Sequence, residues 1–241
     1  MRMIRTACVT GADRGVGLSI VRELLFMGTY VFAGKYNGEL SLLDKLGEEF
    51  PETLHILELD VGSEDSVNEV KKIICEHTDQ LDVLINNAAI LGNIQATVLD
   101  PIDLKEIQDV FNINTLGPLR MSQALLPLLL NGERKLIANI SSEAGSIETC
   151  DRTSWFAYCM SKSALNMESQ LIHNGIKDVG GQVLAIHPGW VQTYMQGQLD
   201  ENALLTADES ARHIVQLLLR SDQFKGEHAV FLDYSGQLLS W

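Results

Sequence analysis

Short apolar, β-branched segments alternate with amphipathic segments along almost the whole chain, and this alternation limits the fold more than any other feature of the sequence. The apolar segments have the length of buried strands, and the longer segments between them show helical spacing of apolar residues. The predicted strands are 4–9, 30–34, 54–59, 83–86, 135–140, 182–187 and 229–232. The predicted helices lie near 15–27, 39–49, 63–78, 103–130, 155–178 and 206–220.

A strand followed by a helix, repeated in this way, predicts an α/β fold: a doubly wound, seven-stranded parallel sheet with helices on both faces. Ligands of such sheets bind at the carboxyl ends of the strands, beside the point where the strand order reverses. The 241 residues fit one domain, and neither an internal repeat nor a linker rich in proline, glycine or serine divides them. We therefore predict a single domain over 1–241. An irregular stretch at about 188–205 is expected to cover the substrate, with a plain surface loop as the alternative.

The chain is acidic, with 32 aspartate and glutamate residues against 18 lysine and arginine residues, which gives a net charge of −14. A surface of this sign repels phosphate backbones, so nucleic acid is not an expected partner. The sequence shows no signal-peptide pattern and no apolar stretch long enough to span a bilayer. We therefore expect a soluble, cytoplasmic protein that has no membrane partner.

The spacing of cysteine and histidine residues gives no sign of a metal site, so no metal is expected. The cysteines form no CxxC pair, and the six histidines are scattered along the chain without an HExxH motif. We interpret the cysteines as reduced thiols, most of them buried. They are Cys8, Cys75, Cys150 and Cys159.

A glycine-rich turn, TGADRGVG at 10–17, follows the first predicted strand and leads into a predicted helix. Its glycines allow a tight turn and a close approach of backbone N–H groups to a pyrophosphate. The helix presents the positive end of its dipole at the same place. Many strand-to-helix turns are rich in glycine, but the position after the first strand favours a dinucleotide site.

The end of the second predicted strand distinguishes the two nicotinamide dinucleotides. A site that prefers NAD usually places an acidic residue there, which accepts hydrogen bonds from the adenosine ribose. This chain has Lys35 instead, and together with Arg14 it offers two cations where a 2′-phosphate would lie. The pattern favours NADP(H), with NAD(H) as the alternative if Lys35 is an ordinary solvated lysine.

Tyr158 and Lys162 lie four residues apart near the start of a predicted helix, and a serine pair at 141–142 follows the fifth predicted strand. Residues with this spacing project from one face of a helix. An unperturbed tyrosine titrates at about pH 10, so it needs a neighbouring cation to favour its phenolate at neutral pH. The pair therefore suits proton transfer, although YxxxK by itself often occurs by chance.

The order of the motifs is more specific than any one of them. The glycine turn is followed by Asp60-Val61, NNAA at 86–89, NTLG at 114–117, the serine pair, YxxxK and HPGWVQT at 187–193. In this order, and over nearly the whole chain, the sequence resembles the single-domain short-chain dehydrogenase/reductases. The segments SSEAGSI at 141–147, HPGWVQT and FLDYSG at 231–236 look most like those of the C-factor and sniffer-type carbonyl reductases.

The resemblance implies a Rossmann fold and a role for each matching catalytic residue. Tyr158 would be the general acid in carbonyl reduction or the base in alcohol oxidation. Lys162 would lower the pKa of Tyr158 and bind the nicotinamide ribose. Ser142 would orient and polarise the substrate carbonyl, and Asn114 would hold a water of the proton relay. The hydride itself would come from the cofactor.

The resemblance also implies the binding sites. The cofactor-binding residues would be Gly11, Asp13, Arg14, Gly15, Val16, Gly17, Lys35, Asp60, Val61, Asn87, Ala88, Ala89, Tyr158, Lys162, Pro188, Gly189, Val191 and Thr193. Apart from the resemblance, we expect the substrate pocket to be formed by Ser142, Cys150, Trp155, Trp190, Tyr194 and Met195. The alternative for the segment that carries Cys150 and Trp155 is a surface excursion with an exposed tip at Asp151 and Arg152. Pairing of the long helices in a homodimer is expected by analogy.

The predicted function is the NADP(H)-dependent reduction of an aldehyde or ketone to an alcohol, with Tyr158 as the proton donor. One alternative is an NAD-linked alcohol dehydrogenase of the same fold. The other, suggested by the likeness to C-factor, is an NADP(H)-responsive signalling or binding protein, for which Tyr158 and Lys162 would be dispensable.

Overall fold

A parallel sheet with the strand order β3-β2-β1-β4-β5-β6-β7 forms the centre of the computed structural model, which describes residues 3–36, 42–195 and 197–241. The strands are β1 (Thr6–Val9), β2 (Tyr30–Lys35), β3 (Leu54–Glu58), β4 (Val83–Asn86), β5 (Leu136–Ile140), β6 (Gln182–His187) and β7 (Val230–Asp233). Every neighbouring pair in this order runs parallel. The predicted doubly wound, seven-stranded sheet is therefore confirmed.

Helices cover both faces of the sheet. They are α1 (Gly15–Phe26), α2 (Leu42–Glu49), α3 (Glu64–His77), α4 (Leu104–Asn114), α5 (Leu116–Asn131), α6 (Phe156–Ile176) and α7 (Ala207–Leu219). The first, second and seventh helices pack into one apolar core, and the third, fifth and sixth contribute to the other. Strand residues alternate between the two cores, so Ala7 and Val9 of β1 face one core and Cys8 faces the other.

The strand order reverses at β1, which lies between β2 and β4. The connections on the two sides of this point run in opposite directions across the sheet and leave a crevice at the carboxyl ends of the strands. The glycine turn follows β1, and the NNAA segment begins with the last residue of β4. The fold therefore brings these two motifs to one edge of the sheet, although about seventy residues separate them in the chain.

The helix predicted at 103–130 is instead two helices, α4 and α5, which meet at Thr115. The Thr115 hydroxyl donates a hydrogen bond of 3.0 Å to the carbonyl oxygen of Ser161 in α6. The local sign of the break is Gly117-Pro118 in the first turn of α5, where proline lacks only an N–H that the helix does not use. A Cβ at Gly117 would lie 2.9 Å from Val61 Cγ2, so the second helix starts against the end of β3.

The other boundaries differ from the predicted ones by a few residues at each end. Residues 39–41 of the second predicted helix lie outside the described part of the chain. The stretch after β6 is less irregular than expected, because Val191 and Leu205 form a parallel bridge within it. The Gln192 N–H donates to the Leu205 carbonyl oxygen at 2.8 Å, and the Leu205 N–H donates to the Trp190 carbonyl oxygen at 3.1 Å.

All four cysteines are free, but the prediction that most of them are buried is wrong. Only Cys8 is fully buried, while Cys75 and Cys150 are exposed and Cys159 is partly exposed. Cys75 follows Ile74, which occupies the core face of α3, so its own side chain faces solvent. Among the described residues, no three His, Cys, Asp or Glu side chains are grouped so that they could hold a metal ion. None of the described helices is both long enough and apolar enough to cross a membrane.

Candidate active site

A cleft of about 940 Å³ opens at the carboxyl ends of the strands and runs from the glycine turn to the segment after β6. Most of the residues predicted for the site line this cleft. They are Gly11, Asp13, Arg14, Gly15, Val16, Asp60, Val61, Asn87, Ala88, Ala89, Ser142, Trp155, Tyr158, Lys162, Pro188, Gly189, Trp190, Val191, Thr193, Tyr194 and Met195. Four predicted residues do not line it: Gly17, Lys35, Asn114 and Cys150.

The glycine turn is packed tightly against the end of β4. Gly11 has φ +62°, and a Cβ there would lie 2.8 Å from the Ala88 Cα, so the position requires glycine. Gly17 lies beneath the turn, where a Cβ would overlap Gly11 O and Asn87 Nδ2. The expected contact of Gly17 with the cofactor is therefore corrected to a packing role, which brings α1 close under the turn.

The start of α1 has the features of an anion site. Arg14 at the N-cap makes no side-chain capping bond, and the first turn contains no acidic residue. The first backbone N–H groups of the helix therefore keep their capacity to donate hydrogen bonds, at the positive end of the helix dipole. The Arg14 side chain is 71% exposed and lines the cleft. These groups and the close-packed glycines fit the phosphates of a dinucleotide.

Asn86 and Asn87 connect the strands beneath this turn. The Asn87 side-chain amide donates to the carbonyl oxygens of Thr10 and Gly11, at 3.0 and 2.9 Å. Asn86 Nδ2 donates to Asn139 Oδ1 at 2.8 Å and so joins β4 to β5. At the end of β3, Asp60 Oδ1 accepts a hydrogen bond of 2.8 Å from the Gly62 N–H, which fixes the carboxylate at the cleft.

Lys35 does not lie where the sequence predicted it. Its side chain is on the same face of β2 as Val31 and Ala33, and the residue is only 4% exposed. The ammonium nitrogen lies 3.1 and 3.0 Å from the two carboxylate oxygens of Asp44 in α2. The expected contact with a 2′-phosphate is therefore corrected: the next residue, Tyr36, lines the cleft, and Lys35 forms a buried ion pair behind it.

Ser142, Tyr158 and Lys162 come together in the cleft. Tyr158 and Lys162 lie one turn apart on α6, and both are buried. Lys162 Nζ donates to the Ile140 carbonyl oxygen at 2.8 Å and lies 5.6 Å from the centre of the Tyr158 ring. Ser142 Oγ accepts a hydrogen bond of 3.1 Å from the Ala144 N–H and is also hydrogen-bonded to the Tyr158 hydroxyl.

Burial dominates the pKa values of this group. It raises the pKa of Tyr158 to about 12, although the hydrogen bond with Ser142 acts in the opposite direction. It also lowers the pKa of Lys162 to about 7. The expected lowering of the Tyr158 pKa by Lys162 is not found: Ser142 and Arg152 are the groups that lower it, and the lysine is itself desolvated and donates to Ile140. At neutral pH the tyrosine is a neutral phenol, which is the form that donates a proton.

Asn114 supports the site from beneath, and both polar atoms of its side chain are hydrogen-bonded within the protein. Its Oδ1 accepts from the Ile90 N–H at 2.8 Å, and its Nδ2 donates to the Ile90 carbonyl oxygen at 2.8 Å. The same Nδ2 lies 3.0 Å from Ser161 Oγ, which in turn donates to the Tyr158 carbonyl oxygen. The Asn114 side chain therefore fixes the segment after β4 against α6, and the expected role of the residue in holding a relay water stays a prediction.

The segment between Ser142 and α6 forms a wall of the cleft, as predicted, but not through Cys150. The turn that carries Cys150 is held outside the cleft, because the Ile147 N–H donates to the Trp241 carbonyl oxygen at 3.1 Å. The wall consists of Trp155 and Arg152, of which the second was predicted only for an exposed tip. The Trp155 ring meets the Tyr158 ring edge-on, with 6.1 Å between the ring centres.

Several further residues line the cleft that were not predicted from the sequence. They are Tyr36, Leu59, Ile90, Leu91, Ile113, Ile140, Ser141, Glu143, Arg152, His187, Asp200, Leu204, Leu205 and Tyr234. For some of these residues a neighbouring motif could have indicated the site: Ile90 and Leu91 directly follow the NNAA segment, and Glu143 directly follows Ser142. Arg152, Asp200 and Leu204 had none, since only the course of their loops brings them to the cleft.

The fold and the cleft together define a class of protein: a doubly wound α/β domain with a cradle for dinucleotide phosphates and a buried Ser–Tyr–Lys group beside it. A family model for short chain dehydrogenases matches residues 5–204. The chain therefore belongs to the short-chain dehydrogenase/reductase family, and it is an oxidoreductase of that family.

Individual relatives agree with this assignment. The C-signal protein of Myxococcus xanthus is 37% identical over 165 residues, which cover 68% of this chain and 95% of that protein. The NADPH-bound carbonyl reductase from chicken fatty liver is 33% identical, with a TM-score of 0.87 over the full length of both chains. The Sniffer carbonyl reductase of Drosophila melanogaster is 29% identical, with a TM-score of 0.88 over the same coverage. The predicted likeness to C-factor and sniffer-type reductases is confirmed.

Proposed function

We propose that the protein is an NADP(H)-dependent carbonyl reductase, which reduces an aldehyde or ketone to an alcohol with Tyr158 as the proton donor. The observation that carries this proposal is the position of Ser142, Tyr158 and Lys162, in the same cleft as the phosphate cradle. The chicken carbonyl reductase, whose structure contains NADPH, supports the choice of cofactor and reaction.

The residues of the cleft fit the cofactor part by part. The start of α1 and Arg14 would hold the phosphates, and Asp60 and Val61 would contact the adenine. Asn87 and Ala88, which line the cleft, would lie on the adenosine ribose side, and the segment at 188–193 would contact the carboxamide of the nicotinamide. When bound, the reduced nicotinamide supplies the hydride.

The side chains of Ser142, Tyr158 and Lys162 would position the substrate carbonyl and control the transfer of a proton to its oxygen. Ser142 Oγ accepts from the Ala144 N–H, so its hydroxyl proton can turn from the Tyr158 oxygen to a substrate carbonyl oxygen. The Tyr158 hydroxyl keeps its proton at neutral pH because burial raises its pKa, and it can give this proton to the same oxygen. Lys162 lies close enough to stabilise the phenolate that remains.

The segment after β6 suits an apolar substrate. Trp190, Tyr194, Met195 and Leu204 line the cleft with large, exposed apolar surfaces. The Trp190 indole N–H donates to Asp200 Oδ2 at 2.7 Å, which holds the two arms of the segment together. In this proposal the stretch at about 188–205 covers a small or medium, partly apolar carbonyl compound.

The test is a Tyr158→Phe variant, assayed with a panel of aldehydes and ketones and with both reduced cofactors. The wild type is expected to oxidise NADPH in the presence of a carbonyl substrate. In the variant, kcat/KM should fall about 10²–10⁴-fold while NADPH binding is retained, because only the donated proton is lost. Tyr30→Phe is the matched control, since Tyr30 lies at the start of β2, at the opposite edge of the sheet. Unchanged turnover in Tyr158→Phe would contradict the proposed mechanism.

A signalling or binding role is a second candidate, favoured by the 37% identity to C-signal. In that case the protein would need to bind NADP(H) but not to transfer a proton. A deletion phenotype that wild type and Tyr158→Phe rescue equally well would support this role, and rescue by the wild type alone would exclude it.

A further inference from the structure

An ion pair lies in the cleft beside the catalytic serine and has no role in the mechanism described so far. Arg152 binds Glu143 through two hydrogen bonds, with its two terminal nitrogens 3.1 and 2.8 Å from the two carboxylate oxygens. Both residues line the cleft, and their side chains are 28% and 44% exposed. Glu143 directly follows Ser142 and begins the short 3-10 helix Glu143–Gly145.

Trp155 connects this ion pair to the proton donor. The Arg152 guanidinium carbon lies 5.4 Å from the centre of the indole ring, and the edge of the indole meets the Tyr158 ring. Trp155 has φ +66°, a left-handed conformation that is costly for a bulky side chain. Its carbonyl oxygen accepts from the Cys159 N–H at 2.9 Å, which makes it part of the first turn of α6.

The charge of Glu143 is unfavourable at this place. A carboxylate close to Tyr158 opposes the negative charge that the phenol oxygen gains when it gives up its proton. It also opposes the negative charge that develops on the substrate oxygen. A cation that pairs with both carboxylate oxygens removes most of this effect, and Arg152 has the fork geometry for such pairing.

We propose that Arg152 is a positioning residue of the active site, which holds Glu143 in a two-point ion pair and so keeps an unpaired carboxylate charge from acting on the Tyr158 hydroxyl and the substrate oxygen. This inference rests on the proposed function, because it assigns a role in the same proton transfer. The pKa values agree in direction: Glu143 raises the pKa of Tyr158, and Arg152 lowers it.

The pH dependence of this site involves groups from every neighbouring element. The titratable and charged groups around the site come from three places. Glu143 and Arg152 belong to the wall of the cleft, Cys159 and Lys162 belong to α6, and His187 and Asp233 lie at the ends of β6 and β7. Glu143 and Asp233 raise the pKa of His187, but burial outweighs them and lowers it, so the imidazole adds no positive charge near neutral pH. Cys159 has a raised pKa, mainly through burial, and stays a neutral thiol there. Glu143 and Arg152 are therefore the two charges of the wall, and a substitution that removes one of them leaves the other unpaired.

The experiment compares Arg152→Gln, Glu143→Gln, the double variant and Arg152→Lys. Reduction of a neutral aldehyde such as benzaldehyde is followed as kcat/KM against pH, and the alkaline limb reports the loss of a proton from the neighbouring groups Tyr158 and Lys162, both of which face the ion pair's field. In Arg152→Gln this limb should move to higher pH, and in Glu143→Gln to lower pH, each by roughly 0.5–1 pH unit. The double variant and Arg152→Lys should return towards the wild-type position.

A second readout does not need turnover. The tyrosinate absorbance of each variant is titrated with and without an added Tyr158→Phe substitution, and the difference gives the titration of Tyr158 alone. Lys177→Gln is the matched control, because it breaks an ion pair with Glu227 at the other end of α6 and should leave the limb in place.

Shifts of opposite sign in the two single variants would support the inference, whereas a merely structural wall would lower the rates without such shifts. Shifts of the same sign, or none in folded protein, would overturn it. If the wild type reduces no carbonyl with either cofactor, the proposed function fails, and the tyrosinate titration still decides whether the ion pair acts on Tyr158.

Discussion

Arg14 and Lys35 carry the same charge, but the structure gives them different surroundings. Arg14 is exposed at the start of α1 and lines the cleft, whereas Lys35 is buried against Asp44. Both were expected to bind a 2′-phosphate, and only Arg14, which is exposed at the cleft with its Nε 3.7 Å from Asp13 Oδ2, can approach one. In the proposed function, discrimination between NADPH and NADH should therefore depend on Arg14.

The corresponding prediction compares Arg14→Ala with Lys35→Ala. Arg14→Ala should weaken NADPH binding about tenfold or more and leave NADH binding nearly unchanged, because it removes a charge-assisted hydrogen bond to the phosphate. Lys35→Ala should lower the stability of the protein instead, since it leaves the Asp44 carboxylate without its lysine partner. Titration of both cofactors and denaturant unfolding of both variants would measure this. A selective loss of NADPH binding in Lys35→Ala would contradict the structural assignment.

Glu168 is a buried carboxylate in α6 that the mechanism does not use. It is 7% exposed, and neither of its carboxylate oxygens has a hydrogen-bond partner in the described structure. Burial raises its pKa to about 8, compared with 4.5 for an ordinary glutamate. The folded state therefore holds a proton that the unfolded state releases, and folding becomes less favourable as the pH rises through this window.

We predict that Glu168→Gln removes this pH dependence. In the wild type, the contribution of Glu168 to the free energy of unfolding is fully present below pH 4.5, the pKa of this group in the unfolded state. It is lost as the pH rises to about 8, the pKa in the folded state. The slope within this window is about 1.4 kcal/mol per pH unit for one proton. Urea unfolding across the window should show a flatter curve for Glu168→Gln than for Glu76→Gln, a control on the exposed face of α3. Equal slopes in the two variants would rule the explanation out.

At the scale of elements, the packing of α1 beneath the glycine turn decides whether the cradle forms. We expect Gly17→Ala to destabilise the protein by about 1–3 kcal/mol and to weaken cofactor binding, because the added methyl overlaps Gly11 O and Asn87 Nδ2. Gly175→Ala is the matched control, since this exposed position in α6 has no atom near its Cβ. That variant should gain about 0.5–1 kcal/mol from helix propensity. Thermal unfolding and NADPH titration measure both effects.

The division between α4 and α5 shows what sequence periodicity leaves undecided. Apolar residues continue at helical spacing through 103–130, so a single helix was the simplest prediction. The break depends on hydrogen bonds from Asn114 and Thr115 to Ile90 and Ser161, which lie far away in the chain. Gly117-Pro118 marks the start of α5 locally, because proline is accommodated in the first turn of a helix.

At the scale of the whole molecule, the net charge of −14 opposes the binding of an anionic cofactor. Binding therefore depends on local donors at the cleft, and the sequence suggested Arg14, Lys35, Lys162 and the start of α1. The structure reduces this set, because Lys35 is engaged with Asp44 and burial lowers the pKa of Lys162 to about 7. The donors that remain at the cleft are the exposed Arg14 side chain and the backbone N–H groups at the start of α1.

The homodimer stays a prediction, and the outer face of α6 offers a way to test it. Met160, Met167 and Leu171 lie along one stripe of this helix and are 47%, 62% and 63% exposed. If two copies pair through this stripe, Met167→Glu should produce monomers, because the added charges would be buried against each other. Sedimentation of the wild type and the variant would measure the assembly. A wild type that sediments as a monomer would show that the prediction is wrong.

The sequence by itself determined the order of the strands and helices, the edge of the sheet where the site lies, and the likeness to the family. These features follow from short-range patterns: apolar periodicity, the glycine turn, and the four-residue spacing of Tyr158 and Lys162. Contacts between distant segments decided the rest. They pair Lys35 with Asp44, turn Asn114 towards Ile90, and set Arg152 and Trp155 beside Tyr158. Only the tertiary structure could decide these, because the direction and protonation of a side chain depend on neighbours that local sequence does not specify.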